Sequence, residues 1–181
     1  LHFHDDPTLY NFIILNPQWA VDAVYSVLND NEIARSGGYF SREQVEAIWS
    51  AKYDKRGQPR YNHDERLKLL SLMEKENFEI CYPLDKQNYI APQLLDTQQP
   101  NYEWDTKNCL KFRFQYKFMP EGILTRLIVR LNALIEPGND ERGLVWRKGV
   151  IFNSDNCRAQ VLEEENAVKI LRLWTHHEQW L

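Results

Sequence analysis

The sequence predicts an α+β chain of two successive units: a helical unit closed by a hairpin over residues 1–97, then a mainly antiparallel β-α-β-β-β unit over residues 98–181. Three observations carry this reading. The first half repeats helix-start signals followed by apolar residues at three- and four-residue spacing. From Leu110 to Phe118 apolar residues instead alternate with Lys111, Arg113, Gln115 and Lys117, the period of a strand. Between them, residues 97–105 are polar, contain Pro100 and read as a linker.

The first unit opens with a short apolar strand, Phe12-Ile13-Ile14-Leu15, which runs into Asn16-Pro17. An Asn side chain can accept one of the orphan N–H groups of a first helical turn, and Pro lacks the N–H that would be wasted there. Val21, Val24, Tyr25 and Leu28 then mark a buried stripe. Gly37-Gly38 breaks the chain. Ser41-x-x-Gln44 is a capping box, with Phe40 and Val45 spaced as a hydrophobic staple. A polar loop over 52–62 precedes a third helix from His63-Asp64, carrying Leu67, Leu70 and Met73. Strands over 78–84 and 89–95, joined by Asp85-Lys86-Gln87-Asn88, complete a hairpin. Three helices followed by a hairpin is the order of a winged helix.

In the second unit Pro120 opens a helix whose apolar face runs from Ile123 to Ile135 and leaves Arg126 and Arg130 off it; Pro137-Gly138 ends it. Further strands are predicted over 144–152, 158–162 and 168–174.

Composition narrows the function. Cys81, Cys109 and Cys157 are odd in number and widely spaced, which argues against a disulfide framework and fits a reducing cytoplasm. No apolar run approaches membrane-spanning length. Residues 1–96 carry 10 Lys/Arg against 15 Asp/Glu, a net of −5. The third helix mixes Arg66, Lys68 and Lys75 with Asp64, Glu65, Glu74 and Glu76, so it lacks the basic face a nucleic-acid reader needs. A nucleic-acid-binding winged helix therefore stands only as the alternative reading.

Catalytic motifs are missing. Gly138-x-x-x-x-Gly143 has phosphate-loop glycine spacing, but it follows a helix and is succeeded by Leu144-Val145 instead of Lys-Ser/Thr. His2-x-His4 beside Asp5-Asp6, and His176-His177, lack a third metal ligand at suitable spacing. Arg126 and Arg130 have the spacing of an arginine finger but also of the wet side of an amphipathic helix. Six Trp are more than two small cores hide easily, which points either to a domain that lives against others or to Trp side chains that are all core or half-buried. The chain opens without Met and is read as a piece of a longer protein.

Several blocks together resemble one family. Leu1-His2-Phe3-His4-Asp5-Asp6-Pro7, Leu15-Asn16-Pro17-Gln18-Trp19-Ala20, Gly38-Tyr39-Phe40-Ser41, Leu69-Leu70-x-Leu72-Met73-Glu74-Lys75 and Tyr89-Ile90-Ala91-Pro92 resemble the first COR subdomain, COR-A, of Roco proteins. Phe118-Met119-Pro120-x-Gly122-x-x-x-Arg126-Leu127-Ile128-x-Arg130-Leu131 and Val145-Trp146-Arg147-x-Gly149-Val150 resemble the second, COR-B. The family includes the leucine-rich-repeat kinases and prokaryotic proteins, and the chain resembles a prokaryotic member.

The resemblance implies a regulatory and dimerisation module with no chemistry of its own and no cofactor, beside a Roc G domain that binds GTP and Mg in the parent protein. Its implied partners are that Roc domain in cis and a second COR as homodimer. By the same resemblance, Phe3, Leu15, Asn16, Pro17 and Trp19 form the Roc-facing element, and Trp146, Arg147 and Gly149 lie near a COR-B dimer contact. Family members close COR-B with an amphipathic helix after the last strand. This chain stops at residue 181, so an incomplete COR-B with exposed apolar surface is expected.

Overall fold

The computed structural model describes residues 13–74, 78–105, 109–154 and 157–174, without the side chains of Leu173 and Trp174. Phe3, the two histidine clusters and the start of the first predicted strand lie outside the described residues. The chain mixes helices with antiparallel sheets and divides into two compact units, residues 1–94 and 95–181.

In the first unit, Asn16 is extended and its Oδ1 accepts from the Gln18 N–H at 3.1 Å, with Pro17 as the first residue of α1 (Pro17–Leu28). The cap and the Pro act as their chemistry dictates. The buried stripe, however, is Ala20, Ala23, Val24 and Val27, whereas Tyr25 is 57% exposed. The predicted stripe was rotated because alanines weigh little in an apolar pattern, yet they let α3 (Arg42–Ser50) and α4 (His63–Glu74) approach closely.

A helix absent from the sequence reading, α2 (Asn31–Arg35), is capped by Asp30, whose carboxylate accepts from the Glu32 and Ile33 N–H groups, and it buries Ile33 completely. The Ser41–Gln44 capping box of α3 is formed in both directions. Asn62 and Glu65 make an equivalent reciprocal pair at the start of α4.

Three short strands, β1 (Tyr39–Ser41), β2 (Tyr82–Pro83) and β3 (Asn88–Ile90), form an antiparallel sheet in the order β1-β3-β2. The hairpin strands are shorter than expected. Before β2, the Ile80 and Cys81 N–H groups both bond back to the Met73 carbonyl, and after β3 residues Pro92–Leu94 coil into a 3-10 turn. Asp85 fixes the hairpin turn by accepting from the Gln87 and Asn88 N–H groups at 2.7 and 2.8 Å. Phe40 and Tyr89 stack across β1 and β3, with centroids 5.6 Å apart.

The core of this unit gathers Trp49, Tyr61, Phe40, Ile33, Leu69, Leu72 and Met73. Cys81 lies within it, and burial pushes its thiol well above the usual range. Native protein is therefore expected to leave Cys81 unreacted with a thiol reagent at pH 8, while Cys109 and Cys157, both half-exposed, react; all three react in denaturant.

Gly38 sits at φ +81°, where a Cβ would lie 2.5 Å from the Ala91 carbonyl oxygen. That carbonyl belongs to the segment whose Ala91 N–H bonds to Gly38 O. Left-handed strain and the clash combine, so Gly38→Ala is expected to destabilise this unit by about 3 kcal/mol, read by urea unfolding.

The second unit holds a five-stranded antiparallel sheet in the order β4-β8-β7-β6-β5, with β4 (Leu110–Gln115), β5 (Val145–Trp146), β6 (Gly149–Ser154), β7 (Cys157–Glu164) and β8 (Ala167–Trp174). Helix α5 (Ile123–Arg130) lies between β4 and β5 in the chain.

The predicted strand over 144–152 is in fact a hairpin, turned by Arg147-Lys148. The helix is also shorter than predicted at both ends. Gly122, at φ +83°, precedes its first residue, and the Asn132 side chain donates to the Val129 carbonyl where the helix gives way to a 3-10 turn. Leu131 and Leu134, expected on its buried face, are exposed. Arg126 and Arg130 lie on the exposed side.

The stretch over 97–105 is not a free linker. Tyr102 and Trp104 pack with Trp146, Leu144, Ile151 and Leu162 as a second apolar cluster on one face of the sheet. β4 also departs from expectation. It was predicted to have one face buried, yet all six of its residues are exposed, because β4 is the sheet's edge and its apolar face is uncovered among the described residues.

Candidate interaction surfaces

The corner over residues 14–19 combines a rigid base with an exposed tip. Ile14 is buried, whereas Leu15 is 92% exposed. Asn16 and Pro17 fix the turn into α1. Trp19 faces inward: its Nε1–H donates to the Arg60 carbonyl at 3.1 Å, and its ring lies 5.2 Å from that of Tyr61. The Tyr61 hydroxyl donates to the Trp19 carbonyl, and Arg60 pairs with Asp22. A hydrogen bond from Gln18, together with Arg60, holds the Asp22 carboxyl below its ordinary value against the opposing effect of burial, while burial raises the Tyr61 hydroxyl. The 52–62 loop is thus tied to α1, and Leu15 projects from a stiff platform.

The three COR-B positions come together in the β5–β6 hairpin. Trp146 is 3% exposed and its ring covers Gly149 so closely that an added Cβ would lie 2.1 Å from Trp146 Cζ2. The Arg147 N–H donates to the Asp96 carbonyl at 2.8 Å, but its side chain is exposed. Trp146 and Gly149 are therefore engaged in internal packing, and Arg147 offers the free side chain. The Trp side chains among the described residues behave alike: Trp19, Trp49, Trp104 and Trp146 are all buried or half-buried. Among the described residues the exposed aromatics are Tyr25, Tyr53, Phe112, Phe114 and Phe118.

Sequence reasoning missed the staple beneath this hairpin. Arg158 makes a two-pronged pair with Glu136, Nε–Oε2 2.6 Å and Nη2–Oε1 2.7 Å, and its guanidinium lies 5.1 Å from the Trp104 ring centroid. Gln160 donates to the Tyr102 hydroxyl. The available signal was two aromatics inside a polar stretch opposite a strand bearing Arg and Gln. Removing the cation while keeping its bulk, in Arg158→Met, leaves a largely buried carboxylate and is expected to cost about 2 kcal/mol in urea unfolding.

The loop over 138–143 closes on itself. The Gly143 N–H bonds to the Asp140 carbonyl, and Arg142 pairs with the Asp140 carboxylate at 2.8 Å, lowering that carboxyl's pKa. It borders an open hollow of about 460 Å³ lined by Asp96, Gln98 and Trp146. No group of three metal-ligating side chains occurs among the described residues, nor is any helix there long and apolar enough to cross a membrane.

Two sequence-family models cover both units: "C-terminal of Roc, COR-A domain" over residues 1–95 and "C-terminal of Roc, COR-B domain" over 107–172. The chain belongs to the COR family of Roco proteins. It is 30% identical over 174 residues to a Roc-COR-CHAT protease from an unknown prokaryotic organism, covering 92% of this chain and 15% of that protein. It is 29% identical over 185 residues to the probable serine/threonine-protein kinase pats1 of Dictyostelium discoideum, covering 94% and 5%. A solved structure of Methanosarcina barkeri Roco2 RocCORdC bound to GDP aligns over 52% of this chain and 28% of its own, at 26% identity and a TM-score of 0.44. The chain thus spans a small fraction of the length of these relatives.

Proposed function

We propose that this chain is the regulatory COR segment of a Roco GTPase in the cytoplasm, pressing on a Roc G domain in cis and pairing with a second copy, with hydrolysis performed in Roc. The match of both COR families, in order, across the two units supports this reading most strongly. In it, unit 1 is a winged helix whose exposed corner, Leu15-Asn16-Pro17, meets Roc, with Trp19 bracing it from behind and Phe3 preceding it. The strand order β1-β3-β2, with the hairpin after the third long helix, supports that assignment. Arg147 reaches toward the second copy, held in place by Trp146 and Gly149. GTP and Mg belong to the Roc domain. Nucleotide can shift the pairing equilibrium only by its unequal affinity for the paired and unpaired states.

The nucleic-acid alternative gains nothing from the comparisons and is opposed by the −5 charge of residues 1–96. The test is Leu15→Glu in the full-length parent. Because Leu15 makes so little internal contact, the melting temperature should hold while GTP hydrolysis changes several-fold. Unchanged hydrolysis in a folded variant would remove Leu15 from the Roc contact.

A further inference from the structure

The β4 edge of the second sheet combines an apolar face with a basic one. β4 bonds to β8 on one side, and among the described residues no strand pairs with its other side. It is a six-residue strand without Pro or Gly, so its outward N–H and C=O groups form a ready ladder. One face carries Leu110, Phe112 and Phe114, all about half exposed. The other carries Lys111 and Arg113. Beside them Lys169 of β8 pairs across from Arg113, and a single carboxylate, Glu164, serves both Arg113 (3.3 Å) and Lys169 (3.6 Å). Two cations share one carboxylate and Lys111 adds a third charge on the same face, which leaves this face of the edge positive.

We propose that the β4 edge receives an extended segment of a different protein or domain, added as a sixth strand, in which acidic residues alternate with apolar ones. Side chains directly opposite one another on paired strands share a face. Acidic residues of the incoming segment would therefore meet Lys111 and Arg113 while its apolar residues cover Phe112 and Phe114. A second copy of this chain is the wrong occupant. Two-fold antiparallel pairing of β4 with itself keeps like faces together, which sets Lys111 or Arg113 opposite the copy's own cations. Basic residues on an edge ordinarily guard against self-pairing. Here the same charges select an acidic strand, the mode of recognition in which the backbone ladder gives affinity and alternate side chains give specificity.

The experiment is fluorescence anisotropy of the full chain with three labelled nine-residue peptides: one alternating Glu with Val/Phe, a scramble of the same composition, and one with Lys in place of Glu. The alternating acidic peptide should bind at least about tenfold more tightly than the other two and weaken as salt rises. Lys111→Glu/Arg113→Glu lies on an exposed strand, so losing the Arg113–Glu164 pair should lower the melting temperature only slightly; it should lose the acidic peptide and gain the basic one. N-methylating alternate backbone nitrogens of the acidic peptide should abolish binding, because the ladder is lost.

Equal binding of the acidic peptide and its scramble would overturn the proposal, as would indifference to N-methylation or failure of the charge swap to exchange preferences. Concentration-dependent self-association of the chain that Phe112→Asp abolishes would assign the edge to a second copy instead. Acidic-peptide binding seen only after removal of residues 175–181 would assign it to the chain's own end. Both of these outcomes also contradict the proposal.

Discussion

Gly149→Ala is expected to destabilise the second unit by about 3 kcal/mol and lower its melting midpoint by roughly 10–20 °C, read by circular dichroism. The cause is geometric. An added methyl carbon would sit 2.1, 2.4 and 2.7 Å from three atoms of the Trp146 ring, a flat, rigid group that cannot bend aside. The ring is confined by Leu144, Ile151 and Tyr102, whose own ring lies 5.9 Å away. Relief requires Trp146 to leave its pocket or the two-residue turn at Arg147-Lys148 to open, and either uncovers the cluster that holds Tyr102 and Trp104 on the sheet. A double variant, Gly149→Ala with Trp146→Leu, removes the obstructing ring and should be less unstable than the sum of the two single changes. Strict additivity would show that the clash is not the cause. If Arg147 contacts a second copy, pairing should weaken together with stability in Gly149→Ala but not in the exposed-site variant Arg147→Ala, which should lose pairing alone.

Trp49→Ala should cost the first unit about 3–5 kcal/mol, the range for emptying a fully buried large aromatic site. Trp49 is 1% exposed, and its indole N–H donates to the Ala23 carbonyl at 3.0 Å, tying α3 to α1. Its ring lies 6.4 Å from that of Tyr61, which in turn meets Trp19. The chain of three aromatics connects α3 through the 52–62 loop to the start of α1, beside Leu15. Truncating Trp49 should therefore loosen the proposed Roc-facing corner as well as the core. Trp49→Phe keeps most of the bulk but loses the indole donor, and should fall between wild type and Trp49→Ala. The exposed Tyr25→Ala should stay within about 0.5 kcal/mol of wild type.

Local chemistry was the legible part of this sequence. Asn16-Pro17 and Ser41-x-x-Gln44 announce helix starts because their side chains satisfy backbone groups a few residues away, and both act in that way here. The second unit's first strand was visible in the period-two alternation from Leu110, although burial does not enforce that period, since all six residues of β4 are exposed. What failed were inferences about burial and ends. The α1 stripe was misread at Tyr25, since alanines at 20 and 23 carry the close packing with little apolar weight. The end of α5 was misread because leucines 131 and 134 continue the helical spacing while Asn132 folds back on Val129.

The segment over 97–105 looked like a linker because an extended cover has no period of its own; only Tyr102 and Trp104 betray it. Of the described residues that resemblance assigned to contacts, Leu15, Asn16, Pro17 and Arg147 are exposed. Trp19, Trp146 and Gly149 are instead engaged in internal packing. A motif can mark the support of a surface as readily as the surface itself, since both must be kept for the contact to form.

In the proposed reading, this segment couples nucleotide state in a neighbouring G domain to pairing between copies. Multi-angle light scattering of the full-length parent across a concentration series, loaded in turn with GDP and with a non-hydrolysable GTP analogue, tests it most directly. Dimer dissociation constants should differ between the two nucleotide states, and differ less when Leu15 is replaced by Glu. A mass that is monomeric throughout, or a dimer whose stability is the same with either nucleotide, would contradict it.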